Sequence, residues 1–146
     1  MKKTSKIIVL ILASLCALSI TAFAAEGVMP FSSSYIFGIY SNIVAGKNGS
    51  LTISFRLNSP APMTELGASS IDIYENNGQT TKLVKTVYAT DNGYSYLLGS
   101  GTYHSGNITY SGTIGYKYYA KVHFTASDNT GGDTATSTSP TVTAKK

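Results

Sequence analysis

The chain has one cysteine, Cys16, and no tryptophan, and its charged residues are few and scattered. Cys16 falls inside an N-terminal apolar run that reads as an export signal, so the exported form holds no cysteine. That excludes a disulfide framework and any thiolate zinc site, and leaves packing and sheet pairing as the sources of stability. Charge of one sign is equally sparse. Eleven basic residues less the signal lysines Lys2, Lys3 and Lys6 leave eight against seven acidic ones, a net of +1 for the exported chain. Those eight, Lys47, Arg56, Lys82, Lys85, Lys117, Lys121, Lys145 and Lys146, form no cluster, and a nucleic-acid partner needs a clustered basic face. The last two read as a solvated tail.

The signal has three parts: the basic start, the apolar run Ile7 to Ile20, and Ala22-Phe23-Ala24 ahead of Ala25. This pattern predicts cleavage after Ala24. The run is shorter than the roughly 20 apolar residues of a membrane span, so no span is expected in the mature form. Leu15 precedes Cys16 where a lipidation site has Gly or Ala, so a lipid anchor is not expected either. Removing residues 1–24 from 146 leaves 122, residues 25–146, which suits one domain. The C-terminal Thr141-Val-Thr-Ala-Lys-Lys146 carries no sorting motif with an apolar tail, and the expected destination is the extracellular space, released or loosely held.

What the chain does have is alternation. From Lys117 to Ser127, Tyr118, Ala120, Val122, Phe124 and Ala126 fall on one face, and Lys117, Tyr119, Lys121, His123 and Thr125 on the other. This predicts a central strand between two glycine turns. Ser50 to Leu57 alternates as cleanly, with Leu51, Ile53, Phe55 and Leu57 inward, and should pair as a hairpin with Tyr35 to Val44 across Gly46-Lys-Asn-Gly49. Ile71 and Ile73 join the core before the turn signal Asn76-Asn77-Gly78, and Thr80 to Thr90 returns as a strand. Pro60 and Pro62 exclude a central strand over Asn58 to Gly67, which is expected to cross between sheets. Tyr94 to His104 has no sustained period and reads as loop with a short extended piece. Asn107 to Tyr110 reads as a strand, and Asp133 to Val142, rich in Thr and Ser, as an edge strand. The fold class is therefore all-β, an antiparallel immunoglobulin-like or fibronectin-like sandwich of about seven strands, with a small antiparallel barrel as the rival.

At Gly67-Ala-Ser-Ser-Ile-Asp-Ile-Tyr-Glu75 and Tyr110-Ser-Gly-Thr-Ile-Gly-Tyr-Lys-Tyr-Tyr-Ala120 the chain resembles a group of small secreted proteins of Gram-positive gut bacteria with no assigned function. The resemblance implies a signal peptide and one β-sandwich domain, and carries over no catalytic residue. Tyr118 to Gly131 also resembles the penultimate strand of fibronectin type III domains, which bears on fold alone.

For a hydrolase triad, His104 reads as a loop histidine and His123 as a solvated strand histidine, neither with a visible partner, and no serine sits in a nucleophile elbow. Asp128-Asn-Thr-Gly-Gly-Asp133 lacks the alternating ligands of a calcium loop and reads as a turn bonded to its own backbone. A lysine–asparagine crosslink is not expected, because the assignable inward positions are apolar. No cofactor is expected. Eleven tyrosines are the strongest bias, and Tyr94, Tyr96 and Tyr103 stand apart because they fall in the irregular segment, where aromatics can build a binding patch. The expected function is a non-enzymatic extracellular binding module for a protein or glycan. The alternatives are a self-assembling matrix protein and, from another class, a small cell-wall-acting hydrolase.

Overall fold

Seven antiparallel strands form one hydrogen-bonded sheet: β1 (Gly38–Ala45), β2 (Ser50–Asn76), β3 (Thr81–Tyr88), β4 (Leu98–Ser111), β5 (Lys117–Ser127), β6 (Gly132–Thr138) and β7 (Val142–Thr143), with a 3-10 turn at Ser95–Leu97. This computed structural model describes residues 33–146, and the export signal, Cys16 and the cleavage point after Ala24 lie outside the described residues. The all-β class and the strand number are as the alternation predicts. The described residues contain no α-helix.

β1 and β2 pair as the expected hairpin, with Ile39 opposite Leu57 and Ile43 opposite Ile53. Asn48 and Gly49 close it in the left-handed region, at φ 55° and 76°, a conformation that Asn and Gly tolerate best. Leu51, Ile53, Phe55 and Leu57 are buried as expected, and so are Tyr118, Ala120, Val122, Phe124 and Ala126 on β5. The Phe55 and Phe124 rings meet edge to face, with centroids 6.1 Å apart. The sheet is curled, so that side chains from the first half of β2 reach those of β5 across the core.

β2 is 27 residues long. Its first part pairs with β1 and β4, and its second part with β3 and β5. The prolines do not end it, contrary to the sequence expectation. The chain stays extended through Pro60 and Pro62 while the ladder to β4 lapses between Asn58 and Met63, and the pairing with β1 stops at Asn58. A proline has no N–H to give a ladder, so both sit where no ladder bond is lost. The Ser59 hydroxyl bridges the gap by donating to the Ala61 carbonyl at 2.7 Å. The crossing expected from the prolines takes place inside one continuous strand.

The segment from Tyr94 to His104 also departs from expectation. It enters the 3-10 turn, buries Leu97 completely and then runs as the start of β4. The strand bends so sharply that the His104 ring returns against Gly99, where a Cβ would lie 2.5 Å from Nδ1. Only glycine fits there. A bent, glycine-rich strand shows no period of two in its sequence. His104 is accordingly not a loop histidine: its ring centroid lies 6.0 Å from that of Phe55, and its Nε2–H donates to the Tyr96 carbonyl at 3.0 Å.

The expected last strand is divided, because Pro140 interrupts it between β6 and β7. Ser139 holds the break to β5, accepting the Ala120 N–H on its hydroxyl at 2.9 Å. β6 ends the ladder, as expected of an edge, but the hydroxyls of Ser137 and Ser41 bond at 2.8 Å and tie it to β1.

One inward polar group anchors the entry to β5. The Tyr118 hydroxyl accepts the Thr113 N–H at 2.8 Å and donates to the Glu75 carboxylate, which also pairs with Lys82 at 3.3 Å. A tyrosine hydroxyl bonded to backbone a few residues upstream is the tyrosine corner of many β-sandwiches. The Tyr118 hydrogen bond holds the Glu75 carboxyl below its ordinary value, while burial first and Glu75 second push the Tyr118 phenol up.

Two predictions test this account. Phe55→Ala and Phe124→Ala should each cost about 3–5 kcal/mol, whereas Tyr96→Ala, which loses one partly exposed hydrogen bond, should cost about 1 kcal/mol. Equal shifts in denaturation midpoint for all three would contradict the burial described. For Glu75, a lowered native pKa means stability that is present above its ordinary value of 4.5 and lost as pH falls through the native one. Glu75→Gln should therefore flatten the acid side of the stability profile measured by denaturant between about pH 6 and about pH 3. For Tyr118 the sign is opposite: its contribution is present below an ordinary value of 10.0 and lost as pH rises through the raised native one.

Candidate functional site

Because β2 lies between β1 and β4, its outward residues stand in rows with those of both neighbours. Arg56 faces Tyr40 on one side and Ser105 on the other, Ser54 faces Asn42 and Asn107, and Asn58 faces Gly38 and Tyr103. These rows form an open groove of about 350 Å³ lined by Tyr40, Ser54, Arg56, Tyr103, Ser105 and Asn107. The Arg56 guanidinium carbon lies 4.8 Å from the Tyr40 ring centroid, a cation–π contact that leaves guanidinium N–H groups available. Two smaller depressions adjoin. One of about 200 Å³ is shaped by Gly38, Tyr40, Arg56 and Asn58, and one of about 250 Å³ by Tyr40, Ser41, Ser137 and Pro140. Tyr40 borders all three, and between them their linings draw on β4, β2, β1 and β6.

The three tyrosines expected to form a patch take different places. Tyr103 is on strand β4 rather than in a loop and is 52% exposed at the rim of the groove. Tyr96 is 48% exposed, and its hydroxyl donates to the Asn107 carbonyl at 3.1 Å, so it braces the groove from behind. Tyr94 packs against the core, with its ring centroid 6.2 Å from that of Tyr96. Tyr40 and Arg56, which were not singled out in the sequence, are the centre of the arrangement. The signal for them is the hairpin register: pairing about Gly46-Lys-Asn-Gly49 sets Tyr40 directly opposite Arg56 on the outer face.

His123 does have partners, contrary to expectation. Its Nε2 bonds Asp72 Oδ2 at 3.1 Å, its Nδ1 bonds Thr136 Oγ1 at 3.1 Å, and Thr86 donates to Asp72 Oδ1 at 2.6 Å. Thr86 and Asp72 are cross-strand neighbours, as are His123 and Thr136, and Asp72 lies diagonally from His123. The row therefore runs over β3, β2, β5 and β6. With Nε2 donating to the carboxylate, Nδ1 accepts from the threonine hydroxyl, which has the connectivity of a triad. None of Asp72, Thr86, His123 and Thr136 lines any of the three depressions. What the geometry gives it is a chain of hydrogen bonds that holds four strands in register.

At the β5–β6 turn, Asp128 Oδ1 accepts the Thr130 N–H at 2.7 Å, the Thr130 hydroxyl at 2.6 Å and the Gly131 N–H at 3.2 Å. The Thr130 hydroxyl is the main reason its carboxyl is held below the usual range. Asp133 is lowered too, first by the Ser33 hydroxyl and then by the Thr134 N–H. This is the backbone-bonded turn read from the sequence. Among the described residues, no three of His, Cys, Asp and Glu group at a spacing suited to a metal ion.

If the His123 row is structural, His123→Ala and Asp72→Ala should each lower stability by about 0.5–1.5 kcal/mol, the usual worth of such a bond. The double variant should lose less than the sum, because both changes remove the same contact. Additive losses in a denaturation cycle would show that the pair contributes nothing.

No family model matches the chain and no curated protein matches its sequence, so the reading of the groove rests on its own chemistry.

Proposed function

We propose that this protein is an exported, non-enzymatic binding module whose recognition surface is the outer face of β1, the first part of β2, and β4. The observation that carries this reading is the pairing of an exposed tyrosine rim with an arginine stacked on Tyr40 over an open groove of about 350 Å³. That volume lies within the range of about 300–1,000 Å³ typical of ligand clefts. Large rigid rings and a guanidinium are the groups that most often dominate recognition. The N-terminal signal pattern supports export. A hydrolytic role draws on the Asp72–His123–Thr136 connectivity, but none of these residues lines the groove or either adjoining depression.

Self-assembly is the second reading, and it draws on β4. Among the described residues this strand of 14 residues pairs only with β2, and it contains no lysine, arginine, aspartate, glutamate or proline, the features that usually guard an edge.

The test compares the wild type with the triple variant Tyr40→Ala, Arg56→Ala, Tyr103→Ala. Retention on a panel of immobilised extracellular polysaccharides and purified cell walls should be present in the wild type and lost in the variant, with the thermal midpoint of the variant still showing a folded protein. A wild type that is retained nowhere and elutes from a sizing column as a multimer would replace this reading with assembly. Retention unaffected by the triple change would move the surface elsewhere.

A further inference from the structure

The groove has an electrostatic character that its partner has to match. No aspartate or glutamate occurs in β1, in β2 up to Asn58, or in β4, so Arg56 is the one charged side chain of this face. Among the described residues it makes no ion pair; Lys82 with Glu75 is a pair elsewhere. Stacking on Tyr40 satisfies the face of the guanidinium and leaves the in-plane N–H groups unmatched, and these suit a two-oxygen acceptor.

Around that charge stand neutral groups that both donate and accept. Ser54, Ser105 and Asn107 line the same groove, Asn58 lines the adjoining one, and Tyr103 presents a half-exposed ring at the rim. Hydroxyls and amides pair with hydroxyls, and a flat ring packs against an apolar ring face. The groove is open and its lining spans β4, β2 and β1, which suits a chain laid across the strands rather than an enclosed small molecule.

We infer that this groove binds an acidic polysaccharide, with Arg56 taking the carboxylate of a uronic-acid unit, Tyr103 packing on a sugar ring, and the serine and asparagine groups taking its hydroxyls. The inference rests on the reading of this face as a recognition surface and adds the class of ligand.

The experiment titrates the full exported chain, labelled with nitrogen-15, with three probes: an oligogalacturonate, the same oligomer as its methyl ester, and poly-L-glutamate. Binding of the oligogalacturonate should shift the amide signals of residues 38–42, 54–58 and 103–107. Arg56→Gln and Tyr103→Ala should each weaken it by about tenfold or more, the scale of one charge-assisted or one stacking contact. The methyl ester should bind about tenfold more weakly than the acid and be indifferent to Arg56→Gln. Equal binding of acid and ester, with Tyr103→Ala still harmful, would overturn the acidic part and leave the recognition surface standing. Equal or tighter binding of poly-L-glutamate at the same amides would assign the groove to acidic peptide instead. No shift in those amides with any probe would overturn the inference, and the polysaccharide and cell-wall panel would then decide the broader reading independently. Circular dichroism of each variant separates loss of binding from loss of fold.

Discussion

The structure depends on β2 staying extended while its partners change. A single strand of 27 residues is too long to remain flat in a domain of this size, and sheets twist as they grow. The lapse in pairing between Asn58 and Met63 is where that twist is released. Extra residues on one strand bend it locally and re-aim the side chains that follow. Before the lapse β2 is the middle of a sheet half with β1 and β4. After it, β2 keeps β4 as far as Gly67, takes up β5 from Glu65 and β3 from Ser70, and becomes the middle of another half, with the core filling the space between. The groove belongs to the first half, so its position follows from the same bend.

Two features keep this arrangement from opening. At one end, Tyr118 joins the start of β5 to the Thr113 backbone and to Glu75 at the end of β2. A buried phenol needs a partner, and here it has one on each side. At the other flank, the Ser41–Ser137 hydroxyl pair links β1 to β6, the first and last strands of the principal ladder. Both serines also line the third depression, so the closure of the sheet and that depression share residues.

Much of this was legible from the sequence where a side chain's direction depends on period alone. Leu51 to Leu57 and Tyr118 to Ala126 alternate without a break, and a slip of one residue would expose every one of them. The proline segment was misread because proline removes a donor without preventing an extended backbone, and whether a donor is needed depends on a neighbour that the local sequence does not show. The stretch before His104 was misread for a related reason: Gly99 and Gly101 allow a bend that erases the period of two. His123 looked solvated because its partners, Asp72 and Thr136, come from two other strands. The groove was half visible, through Tyr103. Its centre was hidden because Tyr40 and Arg56 are ordinary outward residues until the hairpin register brings them together.

The two outer faces of the sheet show why the groove rather than the histidine row is the surface to which a ligand is assigned. On the second half, polar groups are matched within the protein: Asp72 with Thr86 and His123, and Tyr74 stacked on Tyr119 at 4.8 Å with the Lys121 ammonium 5.2 Å from the Tyr74 centroid. A ligand there would have to displace contacts that already satisfy those groups, and the gain would be small. On the first half, the one charge is met by an aromatic face and, among the described residues, by no anion, and the Tyr103 ring at the rim remains half exposed. Its hydrogen-bonding capacity is filled by water in the free protein, so an oxygen-rich acid that fits the groove exchanges weakly held water for charge-assisted bonds. The same sheet thus presents one face whose polarity holds strands together and another whose polarity is available to a partner.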